Sequence, residues 1–336
     1  MPFQFPVPTP ADPEDIALDI YPLLRIFKDG KIERFLGTAS VPAGTDPATG
    51  VQSKDVILSP EDGVGVRLYL PKDASPEKKL PLVVYFHGGG FCVETAWSPV
   101  YHTYLNALTS EANAVVASVN YRLAPEHPLP AAFEDSWRIL KWAASHSGSG
   151  LIPEPAEPWL SEYVDFNKVF LAGDSAGGNI SHHMAVKAGE EGLPGAKLDG
   201  IIPTHPFFSG VEPVGNERDL PPQVLAVHEK IWRLVHPGME DLDDPVINPV
   251  KDVSKAGKVG CGRVLVCVAE KDALMARGVE YGEVMRRCRK EPALEVEVFK
   301  SVGMQHVFHL FDPECEEAAE LMKKVVQFIN GASTNV

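Results

Sequence analysis

Val169-Phe170-Leu171-Ala172-Gly173-Asp174-Ser175-Ala176-Gly177 is the stretch from which the rest of the chain is read. Four apolar residues form a short buried strand, and the Gly-x-Ser-x-Gly pattern around Ser175 then turns it sharply into a helix. The glycines permit the tight turn, which lifts the serine hydroxyl out of the sheet, while the helix N-terminus aims the Ala176 amide at an oxygen that becomes negative. Gly-x-Ser-x-Gly arises by chance in roughly one chain in ten of this length. Its surroundings therefore decide what it means.

His87-Gly88-Gly89-Gly90 lies further N-terminal, again directly after an apolar run, Leu82-Val83-Val84-Tyr85-Phe86. Consecutive glycines leave no Cβ to block a ligand, so their amides can point into a cavity and complete an oxyanion hole. The alternative is a flexible turn between strand and helix.

A serine hydroxyl needs a histidine base and a carboxylate that fixes the imidazole tautomer. After the strand-like Val264-Leu265-Val266-Cys267-Val268 comes Asp272, and after Val296-Glu297-Val298-Phe299 comes His306, which gives the order serine, acid, histidine. Glu270 competes with Asp272 from nearer the strand end, where a structural role suits it better. His309 competes with His306 from one helical turn away, although Gly303 frees the earlier position to reach Ser175. His182 and His183 suggest metal ligands, but adjacent residues face different sides of a helix, so no metal site is expected. Asp174 either orients neighbouring loops or only meets the helix dipole. Phe91, Phe207 and Phe208 flank the expected cavity and would crowd it toward small to medium acyl groups, unless they are core.

With 336 residues, 44% hydrophobic and 23% charged, the chain can bury a large core and has no apolar stretch long enough for a membrane span. A net charge of −15 disfavours nucleic acid and anionic lipid surfaces. Cys92, Cys261, Cys267, Cys288 and Cys315 are odd in number and irregularly spaced, so they read as reduced thiols. No secretory signal is legible at the N-terminus, and the expected compartment is the cytoplasm.

Residues 1–20, rich in proline, read as a loose arm with a disordered tip, and 22–34 as an extended segment, a turn at Asp29-Gly30 and another strand. Strands at 55–58 and 64–70 should open the main sheet in antiparallel fashion. From Leu82 onward, strands near 82–86, 114–119, 168–172, 199–203, 263–268 and 294–299 alternate with helices near 99–110, 131–146, 176–189, 277–290 and 314–330. That rhythm means a mostly parallel sheet with helices on both faces, an α/β fold in a single domain spanning 1–336. Residues 205–250 break the rhythm and read as an insertion, with a helix around 222–235. This insertion and about residues 1–45 would form a small cap.

The motifs HGGG at 87–90, NYRLAPEHPLPAAFED at 120–135, GDSAGG at 173–178, AEKDAL at 269–274 and HVFHL at 306–310 together resemble the plant carboxylesterases of the hormone-sensitive-lipase group of α/β-hydrolases. The likeness implies a triad of Ser175, Asp272 and His306, and oxyanion donors at Gly88, Gly89, Gly90 and Ala176. It implies hydrolysis of small-molecule esters through a serine acyl-enzyme, with no cofactor. The same family holds dehydratases, cyclases and lactone-forming acyltransferases of plant specialised metabolism, so a lyase on this scaffold is the alternative. It also holds hormone receptors, which look like esterases without the catalytic histidine. Such a binding protein is disfavoured because His306 is present and the receptors' longer N-terminal lid is not.

Overall fold

Short apolar runs bounded by loops become strands, and amphipathic stretches of ten residues or more become helices. In the computed structural model, which describes residues 7–148, 150, 154–289 and 292–331, the strands are β1 (Ile16–Ile20), β2 (Leu24–Phe27), β3 (Ile32–Arg34), β4 (Gln52–Ser59), β5 (Val64–Leu70), β6 (Leu80–Phe86), β7 (Val115–Asn120), β8 (Val164–Asp174), β9 (Leu198–Thr204), β10 (Arg263–Ala269) and β11 (Glu295–Ser301). The helices are α1 (Pro99–Ala112), α2 (Ala131–Ser145), α3 (Pro158–Tyr163), α4 (Ala176–Glu191), α5 (Pro222–Val235), α6 (Val253–Ala256), α7 (Met275–Cys288), α8 (Phe308–Phe311) and α9 (Glu316–Asn330).

β4 to β11 hydrogen-bond into one sheet in the order β11-β10-β9-β8-β6-β7-β5-β4. Every pairing from β11 to β7 is parallel, whereas β5 runs antiparallel to both β7 and β4. This is the α/β-hydrolase sheet, with the parallel rhythm and the antiparallel opening both as expected.

Period-two alternation explains the layering. Leu82, Val84 and Phe86 of β6, with Val169 and Leu171 of β8, pack on the face covered by α2, α4 and α7. Val83, Tyr85, Phe170 and Ala172 point to the other face, which α1 and α9 cover. Among the described residues no helix is long and apolar enough to cross a membrane. All five cysteines are unpaired, and burial pushes the thiols of Cys92, Cys261 and Cys267 up to about 12.

The N-terminal segment differs from its reading as a loose arm. Ile16–Ile20 pairs with β2, and β2 with β3, in a small antiparallel sheet closed by a turn at Gly30. Alternation is hidden there because β1 places only Ile20 fully inside. The expected disordered tip, residues 1–6, lies outside the described residues. The helix expected around 222–235 is α5, and the segment that leads into it is tied to the body by Glu217, whose carboxylate meets the Arg277 guanidinium of α7 at 3.0 and 2.9 Å. Both side chains are buried, so removing either partner would leave an uncompensated charge inside the protein.

Candidate active site

β8 ends at Asp174 and α4 begins at Ala176, leaving Ser175 at φ 53°, ψ −116°, a conformation that L-residues adopt only when neighbours hold them there. The neighbours are explicit. The Ser175 amide donates to the Thr204 carbonyl and the Phe207 amide donates to the Ser175 carbonyl, both at 2.9 Å. A Cβ at Gly177 would overlap the Phe86 carbonyl, so only glycine lets α4 start this close to β6.

Asp174 orients the adjoining loop rather than serving the helix dipole alone. Its carboxylate, wholly buried, accepts the hydroxyls of Tyr85 at 2.9 Å and Tyr101 at 3.0 Å. Burial pushes its pKa up to about 6 against the pull of those hydroxyls. Tyr101 in turn accepts the Gly88 amide at 2.8 Å. This corrects one expected oxyanion donor: the Gly88 N–H is already engaged. The residue is glycine because a Cβ would strike the Asp174 carboxylate. Gly89 and Gly90 line the cavity, and Ala176 follows Ser175 at the first position of α4.

On the other side of Ser175, the loops after β10 and β11 bring Asp272 and His306 together. His306 Nδ1 lies 2.7 Å from Asp272 Oδ2, while Asp272 Oδ1 accepts the Leu274 amide at 2.9 Å. Burial disfavours the charged ring of His306, but the Asp272 carboxylate, helped by Asp174, more than offsets it and raises the imidazole above its ordinary range. Burial likewise opposes the charge on Asp272, and His306 overcomes it, holding the carboxyl below its ordinary range. Glu270 accepts the Gly303 amide at 2.8 Å, which makes it a brace for the His306 loop. His309 is buried against Tyr104 and His205 and does not line the cavity. His182 and His183 bond to Tyr281 and the Val246 carbonyl, as core residues do.

His205 joins this group without any signal in the sequence, since the HPFF stretch follows no catalytic spacing. It lies just past β9, is 1% exposed, and sits with Asp272 and His306 so that one potential ligand atom of each lies within 4.8 Å of the others. These three are not a ready metal site. One ring nitrogen of His205 accepts the Val307 amide at 2.9 Å, so in the neutral ring the other nitrogen holds the proton and no lone pair is free.

Ser175, Asp272 and His306 open into one cavity of about 390 Å³. Phe207 lines it, stacked on Trp232 at 4.6 Å, but Phe91 and Phe208 do not. Phe91 packs into Phe133 and Trp232, and Phe208 against Tyr281, so both are core residues and not substrate contacts. The wall instead receives Ile20 and Leu23 from the N-terminal segment and Val227, His228 and Ile231 from α5.

A doubly braced serine elbow beside a carboxylate–imidazole pair on a mainly parallel sheet defines the α/β-hydrolase class. Residues 83–310 match the family model for the alpha/beta hydrolase fold, and 37–125 match that of the carboxylesterase family. The chain is 46% identical over 330 residues to probable carboxylesterase 13 of Arabidopsis thaliana, covering 94% of this chain and 98% of that protein. It is 40% identical over 326 residues to a 2-hydroxyisoflavanone dehydratase of Glycyrrhiza echinata, covering 94% and 97%. Among solved structures, a hyperthermophilic esterase from the archaeon Pyrobaculum calidifontis superposes with a TM-score of 0.65 at 28% identity, over 84% of this chain and 85% of that one. The chain belongs to the plant carboxylesterase family of α/β-hydrolases.

Proposed function

We propose that this carboxylic ester hydrolase works through Ser175 as nucleophile, His306 as base and Asp272 as orienting acid, and that it prefers small to medium acyl groups. The observation that carries the reading is the 2.7 Å contact of His306 Nδ1 with Asp272, on the same cavity as the strained Ser175. His306 takes the proton as Ser175 Oγ attacks the ester carbonyl, then returns it to the leaving alcohol. Asp272 holds the tautomer and stabilises the imidazolium. Amides of Gly89, Gly90 and Ala176 receive the oxyanion, and water resolves the acyl-enzyme.

In the same proposal, the N-terminal segment through about residue 45 and the insertion at 205–250 act as the cap. Both lend side chains to the cavity wall, which supports the reading. Small-molecule partners, esters of specialised metabolism among them, fit a cavity of about 390 Å³ that is lined mainly by apolar side chains. A cytoplasmic compartment fits five unpaired thiols, and the net charge of −15 argues against nucleic acid.

The second reading, elimination from a specialised metabolite, is favoured by the dehydratase relative. There His306 would move a proton on carbon and the oxyanion donors would hold an enolate. Turnover of a nitrophenyl ester series alongside a hydroxyisoflavanone decides between them. Hydrolysis of short esters is expected. No turnover of any simple ester, with Ser175 still labelled by an organophosphate, moves the assignment to elimination.

A further inference from the structure

We infer that His205 is a positioning residue that aligns the base with the nucleophile, an inference that rests on the triad reading above. The segment running out of β9 touches the catalytic parts from three sides. Thr204 accepts the Ser175 amide, Phe207 donates to the Ser175 carbonyl, and between them the His205 ring accepts the amide of Val307, the residue immediately after His306. One short piece of chain therefore fixes the backbone of both the nucleophile and the base.

Two features separate this from ordinary core packing. His205 and Val307 both occupy the left-handed region, at φ 46° and φ 47°, and the imidazole of the first accepts the backbone amide of the second, a β-branched residue for which that conformation is unfavourable. The ring nitrogen that does not meet Val307 is buried without a hydrogen-bond partner among the described residues, in a ring whose centre lies 5.8 Å from that of His306. An apolar residue here would remove that unpaired nitrogen but leave the Val307 amide without its acceptor. Retaining an imidazole makes sense if the Nδ1 acceptor is needed where it stands. Burial pushes His205 down to about 3, so it stays neutral while His306 cycles its charge. A second cation beside His306 would oppose the imidazolium that the reaction forms.

The role makes a specific kinetic demand. A misaligned His306 hurts most where the leaving alcohol needs a proton, and least where it departs as a stable phenolate. The test compares His205→Asn, whose side-chain oxygen can stand near the Nδ1 position, with His205→Gln and His205→Ala, which lose that acceptor. Each is assayed on an ethyl ester and on the nitrophenyl ester of the same acid, per folded molecule counted by circular dichroism. In the alanine and glutamine variants kcat on the ethyl ester should fall at least about tenfold further than on the nitrophenyl ester, with KM little changed. The asparagine variant should recover most of the difference. Equal losses on both esters, no loss, or an asparagine variant as poor as glutamine overturns the role. If the alanine variant does not fold, the asparagine–glutamine pair decides alone. Failure of the triad reading is seen separately, as undiminished turnover by Ser175→Ala.

Discussion

The floor and the roof of the cavity are built by different means. The floor comprises Ser175, Asp272, His306 and the glycine loop, all at the C-terminal ends of strands in one sheet, where backbone hydrogen bonds and a buried Tyr85–Asp174–Tyr101 network hold them. The roof comprises Ile20 and Leu23 from one end of the chain and Val227, His228 and Ile231 from a helix inserted far along it. Its residues come from segments that are partly exposed and meet only in the folded state. Bond-breaking needs reacting atoms held to fractions of an ångström, which rigid strand ends provide. Choosing an acyl group needs only volume and apolar surface, which elements drawn from distant parts of the chain supply.

Changes in the floor should abolish chemistry without altering fit, and changes in the roof should do the reverse. Ser175→Ala has the largest expected effect. Ester turnover should fall by up to the order of 10⁶-fold while the melting temperature stays within a few degrees, measured by steady-state assay and calorimetry. His306→Ala should come close to that loss, and the double variant should match either single one, because triad members act as a unit. His309→Ala, close in sequence but outside the cavity, should change turnover less than about threefold. If His309→Ala proves the damaging change, base and core have been exchanged.

The pH dependence follows from the same floor. His306 must be neutral to accept a proton, and its pKa stands above that of a free imidazole. kcat/KM should therefore decline on the acid side, about tenfold per unit, beginning at a pH above 6.5. An acid limb that starts below that value would contradict the Asp272 pairing. Tyr101→Phe removes both the donor to Asp174 and the acceptor of the Gly88 amide, and should cost about 1–3 kcal/mol of stability by denaturant titration, with a moderate fall in kcat. Where floor meets roof, Phe207→Ala removes the ring stacked on Trp232, opens volume beside Ser175 and should move the acyl-length optimum of nitrophenyl esters upward by about two carbons or more, with a few-fold change in the best kcat/KM. An unmoved optimum would place acyl selection elsewhere.

The division between floor and roof also marks what can be read from the sequence. Ser175, Asp272 and His306, which the fold gathers on one cavity, each follow an apolar run that becomes a strand, so local spacing singles them out as candidates. Gly88 reads as a donor because three glycines in a row are equivalent in sequence. Only the long-range approach of Asp174 and Tyr101 distinguishes the first from the others. Phe91 and Phe208 mislead for a related reason: a ring next to a site residue in sequence turns either toward the cavity or toward the core, and packing against Trp232 or Tyr281 decides. His205 and the Arg277–Glu217 pair depend on residues distant along the chain, beyond the reach of periodicity, whereas β1 pairs locally with β2 and is hidden because only Ile20 of its residues is fully inside.

Whether Ser175 and His306 work together is answered by peptide mapping with mass spectrometry after treatment with a small organophosphate. One adduct is expected, on Ser175, formed rapidly in the native protein and far more slowly in His306→Ala, because only a serine served by that base is nucleophilic. An adduct on another residue, or equally fast labelling without His306, would contradict the assignment of nucleophile and base.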